Sequence, residues 1–232
     1  MKKGFWVYSL ILVSTIAFSP AKKNIYYSND LYINAINLTS EYFPTDKKNQ
    51  FVYDSDFGES ILQVDKELNL NIFTFTGDDF TYRQKLLIND EGVFVKETYQ
   101  KMKLFLVFNK EGTFSYSEPL PRIKFPLEVG KTWEWKGTEY EDDDKNTINL
   151  SAKVEKSEKL KVPAGTFETV KLVTIINSSA GTRNVVTEWY AKNVGLVKMS
   201  AIIEGGGIIG TARDLMGLGD IVFELKEIKT NM

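Results

Sequence analysis

The sequence predicts an all-β protein: a curved antiparallel sheet, folded as a half-barrel, barrel or sandwich, with one or two short helices. Three observations predict it. Apolar and polar residues alternate with period two over much of the chain, turn-forming residues separate the alternating runs, and the pattern occurs in two similar meanders, residues 40–118 and 122–230. Period two is the spacing of side chains on one face of a strand, and one wet face is the habit of antiparallel sheets.

In chain order, strands are expected at Phe51–Asp54, Ile61–Asp65, Ile72–Thr76 and Phe80–Ile88. Asn89-Asp90-Glu91-Gly92 then forms a hairpin loop leading to a strand over Val93–Tyr99, because asparagine and glycine supply the backbone angles such loops need. Met102, Leu104, Leu106 and Phe108 alternate against Lys101, Lys103 and Asn109 and predict another strand. Pro119, Pro121 and Pro126 mark Glu118–Glu128 as a connector, since proline cannot donate to a central ladder. It is too short and apolar for a free linker, so the two halves are expected to share one sheet.

The second half continues with Thr132–Tyr140, then the acidic run Glu139, Glu141, Asp142, Asp143 and Asp144, expected as a solvated hairpin tip. Ile148, Leu150, Ala152 and Val154 give the clearest alternation. Val162-Pro163-Ala164-Gly165 fits a type I turn into Phe167–Ile176, followed by Thr182–Lys192, Leu196–Glu204 and the run of Ile221, Phe223 and Leu225. Short helices are expected only at Asn29–Leu38 and Thr211–Leu218. The halves echo each other: Phe43-Pro44 precedes Phe51-Val52-Tyr53 at the spacing with which Phe125-Pro126 precedes Trp133-Glu134-Trp135.

Composition narrows the chemistry. The chain has 232 residues, 43% of them hydrophobic, the proportion of an ordinary globular protein. There is no histidine and no cysteine, which removes imidazole-activated nucleophiles, thiol chemistry, disulfides and most zinc sites. Arginine occurs only at Arg83, Arg122, Arg183 and Arg213, and the formal net charge is -2. No positive field is available to gather nucleic acid. The start, Met1-Lys2-Lys3, an apolar block from Gly4 to Phe18 and then Ser19-Pro20-Ala21, predicts a secretory signal over residues 1–21. Residues 22–232 then form a single β domain, exported to the periplasm or outside the cell, with no transmembrane segment after cleavage.

The phrase from Phe125 to Trp135, the turn Val162–Phe167 and the segment Trp189–Lys198 resemble motifs of an uncharacterised family of exported bacterial proteins. The resemblance covers the second half and reaches the first through the echo. It implies a fold similar to the curved sheets of periplasmic lipoprotein carriers and brings no catalytic residues with it. Relatives that are anchored lipoproteins use a lipobox cysteine, which this chain lacks.

The candidate ligand-binding residues are Trp133, Trp135, Trp189, Tyr190, Phe73 and Phe75, which either fill a core or line an apolar hollow. Leu215 and Met216, within a glycine-rich segment, are candidates for a flap over that hollow. The leading expectation is a noncatalytic binding or chaperone-like module taking a lipid-like or other hydrophobic small molecule, without cofactor or metal. The second is an envelope protein acting through protein contacts. The third is a carboxylate hydrolase using residues such as Glu134, Glu188 and Glu204. Asp54-Ser55-Asp56-Phe57-Gly58-Glu59 approaches the spacing of a calcium loop but lacks the third acidic ligand and the distal glutamate.

Overall fold

The computed structural model describes residues 41–43, 49–56, 58–104, 108–205 and 220–230. The strands are β1 Asn49–Ser55, β2 Gly58–Glu67, β3 Leu70–Gly77, β4 Phe80–Asn89, β5 Gly92–Leu104 and β6 Phe108–Lys124. They continue with β7 Thr132–Glu141, β8 Asp144–Val162, β9 Gly165–Ser178, β10 Thr182–Ala191, β11 Gly195–Gly205 and β12 Ile221–Thr230. Each strand pairs antiparallel with its sequence neighbours, and β1 pairs with β12, Asn49 opposite Thr230. The outcome is a closed up-and-down barrel, which leaves no free sheet edge at its two terminal strands.

Alternation along each strand separates two environments. Leu62 and Val64, Phe73 and Phe75, Leu172 and Ile176, and Phe223 and Leu225 face inward and are buried in one continuous core. Each such side chain contributes roughly 1.5–3 kcal/mol relative to exposure. Outward positions carry ion pairs, among them Lys85–Glu97, Lys171–Glu155, Lys198–Glu224 and Lys226–Glu59. Apolar inside and charged outside is the reverse of a membrane barrel, whose outer band is apolar. Among the described residues no helix is long and apolar enough to cross a membrane. Register shifts at Val52/Tyr53, Lys85/Leu86, Val154/Lys156 and Trp189/Tyr190 supply the local twist that helps the sheet curl.

The fold class is as expected, and three local expectations are corrected. The connector Glu118–Glu128 is largely strand: β6 runs from Phe108 to Lys124, across the boundary drawn between the halves. Pro119 and Pro121 fit because β6 pairs with β7 only from Phe114 to Tyr116, and its ladder to β5 shifts register beside them. A proline at a bulge or an unpaired edge leaves no ladder bond broken. The alternating run Met102–Phe108 is divided between β5 and β6, with Leu104 opposite Phe108 across their hairpin. Glu139 and Glu141 are buried rather than part of a solvated tip, which is confined to Asp142, Asp143 and Asp144. The expected signal over 1–21 and the helices at 29–38 and 211–218 lie outside the described residues.

The turns behave as their residues predict. Asn89 Oδ1 accepts from the Glu91 and Gly92 amides, closing the β4–β5 hairpin. Gly92 is needed there because a Cβ would lie 2.1 Å from the Ile123 carbonyl oxygen of β6. Val162 pairs with Gly165 around Pro163 and Ala164.

Candidate functional site

Inward alternation brings Phe73 and Phe75 of β3, Trp133 and Trp135 of β7 and Tyr190 of β10 to the barrel interior. Trp133 is 5% exposed, and its indole N–H donates to the Pro121 carbonyl at 2.9 Å, bridging β7 to the part of β6 that has no ladder bond to it. Trp135 is half-buried and packs against the same core. Trp189 does not join them. It follows the inward Glu188 and faces out, where its indole N–H donates to Glu158 and Lys171 and Lys198 flank the ring. Leu215 and Met216 lie outside the described residues.

Inside the barrel is a charged node. Arg122 of β6 donates through Nη2 to Glu188 of β10 at 2.6 Å and through Nη1 to Gln84 of β4 at 2.7 Å. Arg122 and Glu188 are only 5% and 1% exposed, so the pair is fully desolvated. Such a pair holds because each charge compensates the other; neither is tolerated alone. Burial works against the Arg122 charge, but Glu188 and the neighbouring Tyr190 and Tyr82 outweigh it and hold the guanidinium above its usual value. Burial also pushes the Tyr53, Tyr82 and Tyr190 hydroxyls up, against the opposing pull of Arg122, and they stay protonated. Tyr53 donates to the Leu196 carbonyl at 2.7 Å.

Phe43 reaches this node from outside the strands. Its ring is 3% exposed, with the Phe73 ring 4.7 Å away, the Tyr190 ring at 6.2 Å and the Arg122 guanidinium 5.4 Å from its centroid. Its segment is fixed at the mouth by the Asn193 amide, which donates to the Glu41 carbonyl, and by the Lys192–Glu41 ion pair. Next to Phe43 remains a cavity of about 20 Å³ bordered by Tyr53, Phe75, Arg122 and Leu196, room for roughly one water. Among the described residues, Arg122 Nε and Gln84 Nε2 are buried and have no hydrogen-bond partner.

Residues 130–211 match a family model described as DUF3108-like. That span contains two of the three motifs on which the resemblance to uncharacterised exported proteins rests, Val162–Phe167 and Trp189–Lys198, and the end of the third. Two solved structures are similar to the chain. One is a candidate lipoprotein from Parabacteroides distasonis, at 16% identity and a TM-score of 0.40, covering 82% of this chain and 98% of that one. The other is a candidate exported protein with a YmcC-like fold from Bacteroides fragilis, at 14% identity and a TM-score of 0.42, covering 82% and 99%. No curated protein matches the sequence at a significant level. The DUF3108-like span holds Trp133, Glu188 and Tyr190, whereas Phe43, Phe73, Gln84 and Arg122 come from the part of the chain before it.

The remaining candidates do not converge. Glu134 and Glu204 face outward, Glu204 paired with Arg183, while Glu188 faces inward on Arg122; the three carboxylates do not share a site. In the acidic stretch after β1, Asp56 accepts from the Val222 amide, and Glu59, already on β2, pairs with Lys226. Among the described residues no cluster of three acidic side chains could hold a metal. On the outer wall a shallow groove of about 470 Å³ lies over the Trp135–Leu150 pair, flanked by Glu134, Lys136, Asn149, Ser151 and Asn177. Sequence reasoning missed Arg122 and Gln84 as site residues, and it used Phe43 only as part of an echo. The available signal was a charge in the buried phase of a strand, as with Glu188 among Asn184, Val186 and Tyr190.

Proposed function

We propose that the protein is an exported, noncatalytic binding module that holds a hydrophobic ligand inside its barrel. The observation that carries this reading is Phe43. An eight-stranded barrel is just wide enough for its own side chains to fill, and diameter grows with strand number; in this barrel of β1 to β12 a ring from outside the strands completes the filling, with a small cavity left over. The wall therefore encloses more space than its own residues occupy. The basic-apolar-small pattern of Met1 to Ala21 supports export. Catalysis has little to draw on, since histidine and cysteine are absent and the candidate carboxylates are dispersed. Native mass spectrometry of protein purified from its own host is expected to show a co-bound hydrophobic molecule released on denaturation. A bare protein mass overturns the reading.

The outer groove favours a second reading, an envelope protein acting through protein contacts. On that reading Lys136→Glu, which reverses a charge beside the groove, removes a cross-linked envelope partner and leaves any bound lipid unchanged.

A further inference from the structure

We propose that Phe43 is a built-in occupant of a site for a single planar aromatic ring, and that a ring-bearing ligand takes its place against Arg122 and Phe73. The inference deepens the binding reading and rests on it, naming the class of molecule the interior selects. The Phe43 ring lies 4.7 Å from Phe73 at 42° and 6.2 Å from Tyr190 at 36°, with the Arg122 guanidinium 5.4 Å from its centroid. Those surroundings favour a π-face: aromatic neighbours at these separations and a cation near the ring attract a planar ring more than a flexible chain of equal area. Arg122 can play this part because Gln84 and Glu188 already fix it.

The site is larger than the side chain that fills it. Beside the Phe43 ring the cavity of about 20 Å³ continues to Phe51, Leu62, Phe75 and Val194. Indole, about three heavy atoms larger than phenyl, takes the place of the Phe43 ring and extends into this cavity. Arg122, whose Nε is buried with no hydrogen-bond partner among the described residues, borders the same cavity and offers a donor to a ring that carries an acceptor.

The occupant is also removable. Phe43 belongs to no strand, and among the described residues the segment before it is held at the mouth by one backbone hydrogen bond from Asn193, by the partly exposed Lys192–Glu41 pair and by Lys192 over the Tyr42 ring at 5.8 Å. Exposed ion pairs of this kind are weak restraints. Withdrawing Phe43 breaks no ladder bond of the barrel, so the wall stays closed while the site opens.

The test uses the full chain, the variant Phe43→Ala and a second variant, Glu41→Ala with Lys192→Ala, which loosens the anchor and leaves the interior intact. Indole is the ring probe and decanoate the chain probe, with thermal shift and isothermal titration as readouts. Phe43→Ala is expected to melt lower than wild type, to recover part of the loss with saturating indole and to respond little to decanoate. Wild type is expected to bind indole at least about tenfold more weakly than Phe43→Ala, because its own ring occupies the site and only the open fraction binds. The anchor variant is expected to fall between them. Should Phe43→Ala fail to fold, the anchor variant decides: tighter indole binding than wild type supports the site, and unchanged binding overturns it. An unchanged melting temperature in Phe43→Ala, equal indole affinity in all three proteins, or decanoate stabilising Phe43→Ala as much as indole also overturns it. Native mass spectrometry of the wild type reads the natural cargo separately. A bare mass alongside indole binding by Phe43→Ala rejects the carrier reading and leaves the ring site standing.

Discussion

Arg122 and Glu188 show how a single pair can set the character of an interior. Each is a charge deep inside the barrel, made acceptable by the 2.6 Å contact between them. Glu188→Leu alone strands a buried guanidinium and is expected to lower unfolding free energy by about 3–5 kcal/mol, measured by urea denaturation. Arg122→Met combined with Glu188→Leu is expected to recover most of that loss, because no uncompensated charge remains; a double variant as unstable as the single one contradicts this account. Burial gives a second prediction at this scale. The Tyr53, Tyr82 and Tyr190 hydroxyls titrate higher in the fold than in the unfolded chain, where tyrosine ionises near pH ~10. Raised values mean that their contribution is fully present below about pH 10 and is lost progressively as pH rises above it, since only the unfolded chain then releases these protons. Tyrosine absorbance followed through an alkaline titration should show a fraction that ionises only on unfolding. Of this site, the aromatic members were legible, since Phe73, Phe75, Trp133 and Tyr190 follow the inward phase. Arg122 was hidden by Pro121 beside it, which marks a connector in a sequence whatever strand it later joins.

Among the elements, β6 was the hardest to foresee and β8 the easiest. β8 alternates without interruption from Ile148 to Val154, and period two alone defines its inward face. β6 contains two prolines and a glycine, and it becomes a strand because β5 pairs with it almost throughout while β7 touches its ladder only near Phe114–Tyr116. That asymmetry is a tertiary property that local sequence does not carry. Trp189 was misjudged for the opposite reason: its neighbour Tyr190 is inward, and adjacent residues on a strand face opposite ways. The hairpin at Gly92 offers a test of close packing. Gly92→Ala puts a methyl into the Ile123 carbonyl, whereas around Gly58 nothing lies within 4 Å of a Cβ. The Gly58→Ala change is expected to destabilise by about 1 kcal/mol, from its positive φ alone. Gly92→Ala is expected to cost clearly more, since backbone of β5 or β6 must move. Thermal melts of the two variants make the comparison.

At the scale of the whole molecule, the barrel is held by a core and by ladders without any covalent cross-link, as a chain with no cysteine requires. The outer ion pairs add little, so 1 M sodium chloride is expected to change unfolding free energy by less than about 1 kcal/mol. Deleting residues 221–230 removes β12 and leaves β1 and β11 each with an unpaired edge. Exposed edges of that kind template association between chains, and the truncated protein is expected to elute as aggregate on size exclusion where the full chain elutes as a compact species.

The pairing of the first strand with the last has a bearing on biogenesis. Because Asn49 meets Thr230, the seam cannot be sewn until every strand from β1 to β12 has been made and is free to fold. A chain stopped short of β12 leaves β1 with a partner only on its β2 side, and an open strand flank of that kind invites pairing with another molecule.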